Sequence, residues 1–356
     1  MSRFHNLTIK DVRKETSDTV SIAFEVPESL KETFKFKHGQ YLTLKVLVDG
    51  EEIRRSYSIC TAPHEGELRI AIKKIENGRM SGFLNNQAKA GQTVEVMIPM
   101  GNFYTETSPA NRKAYVAFAA GSGITPIMSI LKTVLESEPG SNFNLFYGNR
   151  ESSSIIFKDE LDKLQARYAD RLRVHYIFSR QESSDPLFKG RISKEKVIDI
   201  LAKYPHLAQA GEYFLCGPQD MIESTSALLQ ERGVSKDHIH FELFTTAVPV
   251  DEAFENAAAP VDTAESKVRI VLDGEETVIS VKPGISILDS ALDAGLDVPY
   301  ACTGGSCCTC RAKILEGTAT MDVNYALTDK EVSQGYVLTC QAHPTTPTMV
   351  VDYDAS

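Results

Sequence analysis

Four cysteines near the C-terminus, Cys302, Cys307, Cys310 and Cys340, follow the pattern C-x4-C-x2-C with one distant fourth member. Thiolates bind iron and zinc, and this spacing is one that holds a [2Fe-2S] cluster. Structural zinc sites more often pair two short Cys-x2-Cys knuckles, and only one such pair is present. A cluster held by these four thiolates would move electrons one at a time, which points to redox traffic; a zinc site or buried free thiols are the alternatives. Gly304 and Gly305 permit positive φ, so the loop can curl and turn backbone N–H groups toward the sulfurs. Cys308 is a fifth thiol in the loop. It fits the spacing less well than its neighbours and reads as a non-ligand packed against the loop.

Further upstream, Arg54-Arg55-Ser56-Tyr57-Ser58 combines guanidinium groups suited to phosphate with a phenol that offers a flat face and a polar tip. The same residues would also make an ordinary half-exposed strand. Gly78-Arg79-Met80-Ser81 opens a helical stretch, where an anion can settle on free N–H groups or a serine can simply cap the helix. Gly121-Ser-Gly123-Ile-Thr125-Pro126 joins a strand to a helix, the place where a pyrophosphate is received, although it lacks the third glycine of Gly-x-Gly-x-x-Gly. Cys216-Gly217-Pro218 follows another strand, and a cysteine there is either a small buried residue or part of a site. Arg150, Ser179 and Arg180 end two further strands.

These residues need elements to position them. Residues 1 to about 105 alternate in short runs, such as Leu42–Val48 and Leu68–Ile72, separated by the turns Asp49-Gly50 and Asn77-Gly78. That pattern predicts a small antiparallel β-barrel. From 106 to 245 the apolar run Tyr115–Ala119 precedes a helical stripe of Ile127, Met128, Ile130, Leu131, Val134 and Leu135. Strand-like runs at Phe143–Tyr147, Val174–Phe178 and Tyr213–Leu215 then alternate with helices, as in an α/β domain with a parallel sheet. Residues 246–265 turn to Ala, Pro, Val, Asp and Glu without period and read as a linker. In the third segment, 266–356, a hairpin turns at Asp273-Gly274, and a short capped helix over Ser286–Ala294 leads into the cysteine loop.

Composition narrows the class. The chain has 356 residues, 42% of them hydrophobic, and a formal net charge of -10, which gives no electrostatic footprint for nucleic acid. Residues 266–356 carry 6 Lys+Arg against 12 Asp+Glu, an acidity that fits either a docking face for a basic partner or a merely solvated surface. No long apolar run points to export or a membrane span, and seven cysteines crowded largely into one loop suit a reducing compartment, so a cytoplasmic location is expected.

Taken in order, these motifs resemble a ferredoxin–NADP reductase-type flavoprotein with a C-terminal plant-type ferredoxin domain. The resemblance implies three domains: an antiparallel β-barrel that binds flavin, an α/β NAD(P) domain and an α+β (β-grasp) ferredoxin domain. By that resemblance Arg55 pairs with a flavin phosphate, Tyr57 lies against the isoalloxazine and Ser58 reaches flavin N5. Gly78 and Ser81 would receive the flavin diphosphate. Gly121, Gly123, Thr125 and Pro126 would cradle the nicotinamide nucleotide, with Thr125 near its ring. Cys216, Gly217 and Pro218 would stand where nicotinamide meets flavin. Arg150 would line the cofactor side, and Ser179-Arg180 resembles a clamp for an adenosine 2′-phosphate, which favours NADPH over NADH. FAD rather than FMN likewise rests on the resemblance. Phe36-Lys-His38-Gly39-Gln40 resembles the family's Phe-x-Pro-Gly-Gln turn with His in place of Pro.

The three groups are complementary. Hydride carries two electrons and a [2Fe-2S] cluster accepts one, so a flavin is needed between them. The expected sequence is NADP(H) to FAD to cluster to an external acceptor. Reductases of multicomponent oxygenases share this domain order, which implies an oxygenase of the di-iron type as partner. Another acceptor, such as a ring hydroxylase, a steroid hydroxylase or a hybrid-cluster protein, is the alternative, and a redox-sensing or zinc-stabilised module without turnover is a more distant one.

Overall fold

The computed structural model describes residues 4–244 and 265–355. Apart from Glu265, the stretch read as a linker, 246–265, lies outside the described residues.

The N-terminal sheet contains β1 (Phe4–Thr16), β2 (Thr19–Glu25), β3 (Tyr41–Val48), β4 (Glu51–Ser58), β5 (Leu68–Lys73) and β6 (Thr93–Met97), with helix α1 (Arg79–Gln87) before the last strand. All pairings are antiparallel in the order β4-β3-β6-β1-β2-β5, and a bridge from Ile59 to Ile70 brings the two edges together into a barrel. Leu7, Ile22, Leu42, Leu44, Ile70 and Val96 alternate inward along these strands and form its core. Asp49 and Gly50 both take positive φ (54° and 81°), which is what a two-residue hairpin turn between β3 and β4 requires.

A parallel sheet follows: β7 (Ala114–Ala120), β8 (Asn142–Asn149), β9 (Leu172–Phe178), β10 (Glu212–Gly217) and β11 (Ile239–Leu243), in the order β11-β10-β7-β8-β9. The helices α2 (Ile124–Ser137), α3 (Lys158–Arg167), α4 (Lys194–Lys203) and α5 (Gln219–Glu231) make the crossovers. The strand order reverses at β7, and the crevice beyond the carboxyl ends of β7 and β10 is where such sheets take ligands. Periodicity assigns α2 one apolar stripe, yet every residue from Ile124 to Leu135 is buried. Its second face packs on the barrel, where Ser129 donates to the Thr61 carbonyl (2.6 Å) and the buried Lys132 pairs with Glu65 (2.7 Å); Lys132 also reaches Glu160 of α3 (2.9 Å).

The third unit is a mixed sheet of β12 (Ser266–Leu272), β13 (Glu275–Val281), β14 (Arg311–Glu316), β16 (Tyr336–Leu338) and β18 (Thr348–Asp352), ordered β13-β12-β18-β14-β16. A small ribbon of β15 (Ala319–Met321) and β17 (Ala342–Pro344) flanks it, with helices α6 (Ile287–Asp293) and α7 (Asp329–Ser333). Ser286 caps α6 by accepting the Asp289 N–H at 3.0 Å. The cysteine loop runs from α6 to β14 and meets β3 of the barrel at Tyr41 and Thr43. Thus the observed architecture is the expected antiparallel barrel, parallel α/β sheet and α+β ferredoxin unit.

Candidate functional site

All seven cysteine thiols are free. Cys307, Cys310 and Cys340 are buried and Cys302 is half-buried. The four sulfurs form two hydrogen-bonded pairs, Cys302 with Cys307 and Cys310 with Cys340. Cys302 is held below the usual thiol value, chiefly by a hydrogen bond from Cys307, while Cys307 is raised well above it by the same bond and by burial. Cys340 is likewise lowered by Cys310, and Cys310 raised by Cys340. The pairs also act on each other, Cys302 on Cys340 and Cys307 on Cys310. Among the described residues no three Cys, His, Asp or Glu side chains converge on the position of one metal ion. Two adjacent thiol pairs fit a two-iron cluster, each pair facing one iron. The loop backbone completes the site: Gly305 takes φ +71°, and the Gly304 N–H points at Cys302 Sγ (3.4 Å). Cys308, the fifth thiol, stands outside both pairs and meets the Tyr41 hydroxyl at 3.2 Å.

On β4 successive side chains alternate in direction, and that separates the two arginines. Arg54 is buried and committed to the ferredoxin unit, with Asp297 Oδ1 at 2.5 Å, the Val298 carbonyl at 3.2 Å and the Tyr300 ring 4.5 Å from its guanidinium. Arg55 is exposed, donates to the Arg54 carbonyl (2.7 Å) and makes no ion pair among the described residues, so its charge is available for a phosphate. Tyr57 shares its face, and burial raises the Tyr57 phenol above its ordinary value while the nearby Arg55 charge opposes that. At the start of α1 a side chain on Gly78 would meet Ile75 Cγ1 at 2.3 Å and Ser81 Oγ at 2.4 Å. Ser81 itself accepts the Ile75 N–H and donates to the Gly78 carbonyl, both at 3.3 Å, which shapes the turn.

Ser58 leads to a residue that the sequence reading did not single out. Its hydroxyl donates to Glu242 Oε2 at 2.7 Å, and Glu242 pairs in register with Cys216 on β10. Burial pushes the Glu242 carboxyl up to about 7, opposed by the Ser58 bond. Burial first, and the Glu242 charge second, hold the Cys216 thiol well above its usual range, which disfavours a thiolate there. Ser58, Glu242 and Cys216 therefore meet at the seam between barrel and parallel sheet. Nothing local marks Glu242, because its role depends on how β11 docks against another unit.

Beyond the ends of β7 and β10 lies a cleft of about 390 Å³. Gly121, Gly123, Arg150, Ser179, Gly217 and Pro218, all expected at the nucleotide site, line it. Gly123 is required by close approach: a Cβ there would stand 2.0 Å from the Cys216 carbonyl oxygen. Gly121 takes φ +55°, and the space where its Cβ would lie is open, leaving a cradle for a ligand. Thr125 is buried and donates to the Ser122 carbonyl (3.0 Å), and Pro126 lies inside α2; neither lines the cleft. Arg180 is also absent from the lining, and Arg191 and Lys73 are present instead. A Gly190-Arg191 pair in an otherwise unassigned loop was the available signal. The glycine cradle and cationic wall fit a dinucleotide, and the Arg55/Tyr57 face with the α1 turn fits a flavin nucleotide.

A barrel with a flavin-type face, a dinucleotide cleft and a paired-thiol loop define an electron-transferring oxidoreductase that carries FAD, a nicotinamide nucleotide and a [2Fe-2S] cluster. Comparison with known proteins agrees. Residues 6–104 match the oxidoreductase FAD-binding domain family, 118–227 the oxidoreductase NAD-binding domain family and 270–345 the 2Fe-2S iron-sulfur cluster binding domain family. The chain is 42% identical to a subunit of the 1,2-phenylacetyl-CoA epoxidase of Escherichia coli (strain K12), covering 100% of this chain and 99% of that protein. It is 33% identical to the ferredoxin reductase component of 3-ketosteroid-9-alpha-monooxygenase of Rhodococcus rhodochrous, over 99% of this chain and 97% of that one. Phthalate dioxygenase reductase has the same fold, with a TM-score of 0.60 at 24% identity and 98% of each chain covered. The chain belongs to the ferredoxin–NADP reductase-type flavoproteins with a C-terminal [2Fe-2S] domain that serve as reductase components of oxygenases. Among the described residues no helix is long and apolar enough to cross a membrane.

Proposed function

We propose that the chain takes hydride from NADPH and delivers electrons singly to a di-iron oxygenase of the phenylacetyl-CoA epoxidase type. The observation that carries the reading is the meeting of both routes at the barrel: the nucleotide side reaches Ser58 through Glu242, and the cluster loop reaches Tyr41, the cross-strand partner of Ser58. The flavin, when bound, supplies the conversion from two-electron to one-electron transfer.

In this proposal residues 1–105 bind FAD, 106–245 bind the nucleotide and 266–356 hold the cluster, joined by 246–265. Arg55 holds a flavin phosphate, Tyr57 covers the ring, and Gly78 and Ser81 shape the turn that receives the diphosphate. Ser58 and Glu242 supply a hydrogen-bonded proton carrier beside the reacting ring. Gly121, Gly123, Gly217 and Pro218 cradle the nucleotide, Thr125 fixes the turn at Ser122, and Cys216 sets the closest approach. Arg150 and Arg191 supply the cationic wall that favours a 2′-phosphate, with Ser179 beside them in the lining and Arg180 next to it in sequence. Cys302, Cys307, Cys310 and Cys340 hold the cluster. Seven free thiols support a reducing, cytoplasmic setting. The higher identity to the epoxidase protein than to the ketosteroid reductase, 42% against 33%, supports the choice of acceptor.

The test is rapid mixing under anaerobic conditions with NADPH and with NADH, followed by turnover of a phenylacetyl-CoA epoxidase oxygenase component. Faster flavin reduction by NADPH and epoxide formation are expected. Equal rates with NADH would remove the donor assignment, and a reduced protein that fails to support epoxidation while supporting another oxygenase would remove the acceptor.

A further inference from the structure

Tyr41 opens β3, yet its ring packs in the core of the ferredoxin unit and is only 5% exposed. Its hydroxyl accepts the Cys308 N–H at 3.0 Å and lies 3.2 Å from Cys308 Sγ and 3.3 Å from Thr309 Oγ1. Thr309 is fully buried and reaches back to Thr43 Oγ1 at 3.2 Å, which in turn meets Ser56 Oγ at 3.0 Å. The two residues gripped, Cys308 and Thr309, are the ones that separate Cys307 from Cys310. On its other flank Tyr41 pairs across the strands with Ser58, so the two side chains project from the same face of the β3–β4 ribbon. One phenol thus touches the cluster loop and stands beside the flavin-site serine.

This arrangement is well suited to fixing a distance. The hydroxyl is held by three partners, all buried, and a hydrogen-bond network of this kind in a low-dielectric interior resists displacement more than its separate bonds would. Its position is backed by Arg54, which clamps Asp297 and the Val298 carbonyl just before the loop. The residue between Cys307 and Thr309 needs no metal-binding role to account for its place: its N–H and its thiol both complete the contact with Tyr41.

We propose that Tyr41 is a positioning residue for electron transfer inside this chain: through Cys308 and Thr309 it holds the cluster loop at a fixed separation from the flavin edge of the barrel. The step served passes one electron from reduced flavin to the oxidised cluster; no bond is made or broken, and Tyr41 is neither oxidised nor deprotonated. The inference rests on the flavin and cluster sites and is independent of which nucleotide donates and which oxygenase accepts.

The experiment compares the full-length, cofactor-loaded chain with Tyr41→Phe, which keeps the ring and removes the hydroxyl. Flavin-to-cluster transfer is followed by stopped-flow absorbance after anaerobic reduction by nicotinamide nucleotide, and amide exchange across residues 305–310 is followed by mass spectrometry. Reactions governed by positioning lose on the order of 10²-fold for a displacement of about 1 Å. A slowing of at least about ten-fold is expected at parental flavin and iron content, together with faster exchange in the loop. A merely structural role would lower cofactor content or melting temperature and leave that step unchanged in the loaded molecules. Parental transfer or parental exchange in loaded Tyr41→Phe overturns the proposal. Should that variant fail to load, Thr309→Val decides by the same two readouts: slowing of roughly five-fold, the effect of one hydrogen bond, is expected, and parental values overturn the proposal.

Discussion

The Ser58 hydroxyl donates to Glu242 Oε2 at 2.7 Å, tying the last residue of β4 to β11 across the seam between barrel and parallel sheet. Burial raises the Glu242 carboxyl from 4.5 to about 7. A carboxyl that holds its proton more tightly when folded than when unfolded is at its least costly below pH 4.5, and stability falls as pH rises from there through 7, then levels off. In Glu242→Gln that contribution disappears. The urea midpoints of variant and parent are therefore expected to lie close together at about pH 5, with the variant higher at about pH 8. A constant difference between the two proteins across this window would mean that Glu242 titrates as an ordinary surface carboxyl.

The adjacent arginines predict opposite phenotypes. Arg54→Ala removes a buried guanidinium that joins the barrel to the ferredoxin unit through Asp297 and Val298, so a stability loss of about 2 kcal/mol is expected, with flavin still bound. Arg55→Ala removes an exposed charge with no acidic partner among the described residues, so folding should be unaffected while flavin is retained at least about ten-fold more weakly. Urea unfolding and flavin release on gel filtration separate the two. Full flavin occupancy in Arg55→Ala would take Arg55 out of the site.

That contrast shows what the chain's order of residues reveals and what it leaves to tertiary structure. Local rules sufficed for the Asp49-Gly50 and Asp273-Gly274 hairpins, since both turns need two residues at positive φ, and for Ser286 as a helix cap. Cysteine spacing sufficed for the [2Fe-2S] domain, because three candidate ligands lie within one short turn. By contrast, Arg54 and Arg55 are identical in type and adjacent, and only the docking of a third unit buries one of them. Glu242 and Arg191 became visible for the same reason: each lies far in sequence from the groups it joins. The all-round burial of α2 also escaped a periodicity argument, which registers the face on the sheet and misses the Ser129 and Lys132 contacts with the barrel.

Arg191 lines the cleft proposed for the nucleotide and Arg180 does not. A guanidinium bound to phosphate contributes roughly 1.5–3 kcal/mol, or about ten-fold to a hundred-fold in affinity. Arg191→Ala is therefore expected to raise the KM for NADPH by about ten-fold or more with little change for NADH, and Arg180→Ala to have a smaller effect. Steady-state reduction of ferricyanide measures both. A larger effect at Arg180 would assign the phosphate to Arg180 and leave Arg191 facing another part of the nucleotide.

Cys340 is the one ligand candidate outside the loop, reached from β16 through Leu338 and Thr339, and it shares a thiol pair with Cys310. Cys340→Ser breaks that pair while the Cys302–Cys307 pair and the contacts at Tyr41 and Arg54 remain in place. A hydroxyl is a poor substitute for a thiolate toward iron, so the variant is expected to lose the cluster, seen as loss of iron and of the reduced-cluster EPR signal. The residues proposed to bind flavin, Arg55, Tyr57 and the α1 turn, belong to the barrel and not to the ferredoxin unit that holds Cys340, so nucleotide-driven ferricyanide reduction should continue near the parental rate. Cytochrome c or oxygenase reduction, which needs the one-electron exit, should fall to a few per cent of parental, on the order of the flavin's direct leakage. Loss of ferricyanide activity in a well-folded variant that still binds flavin would contradict a linear path in which the cluster lies downstream of the flavin.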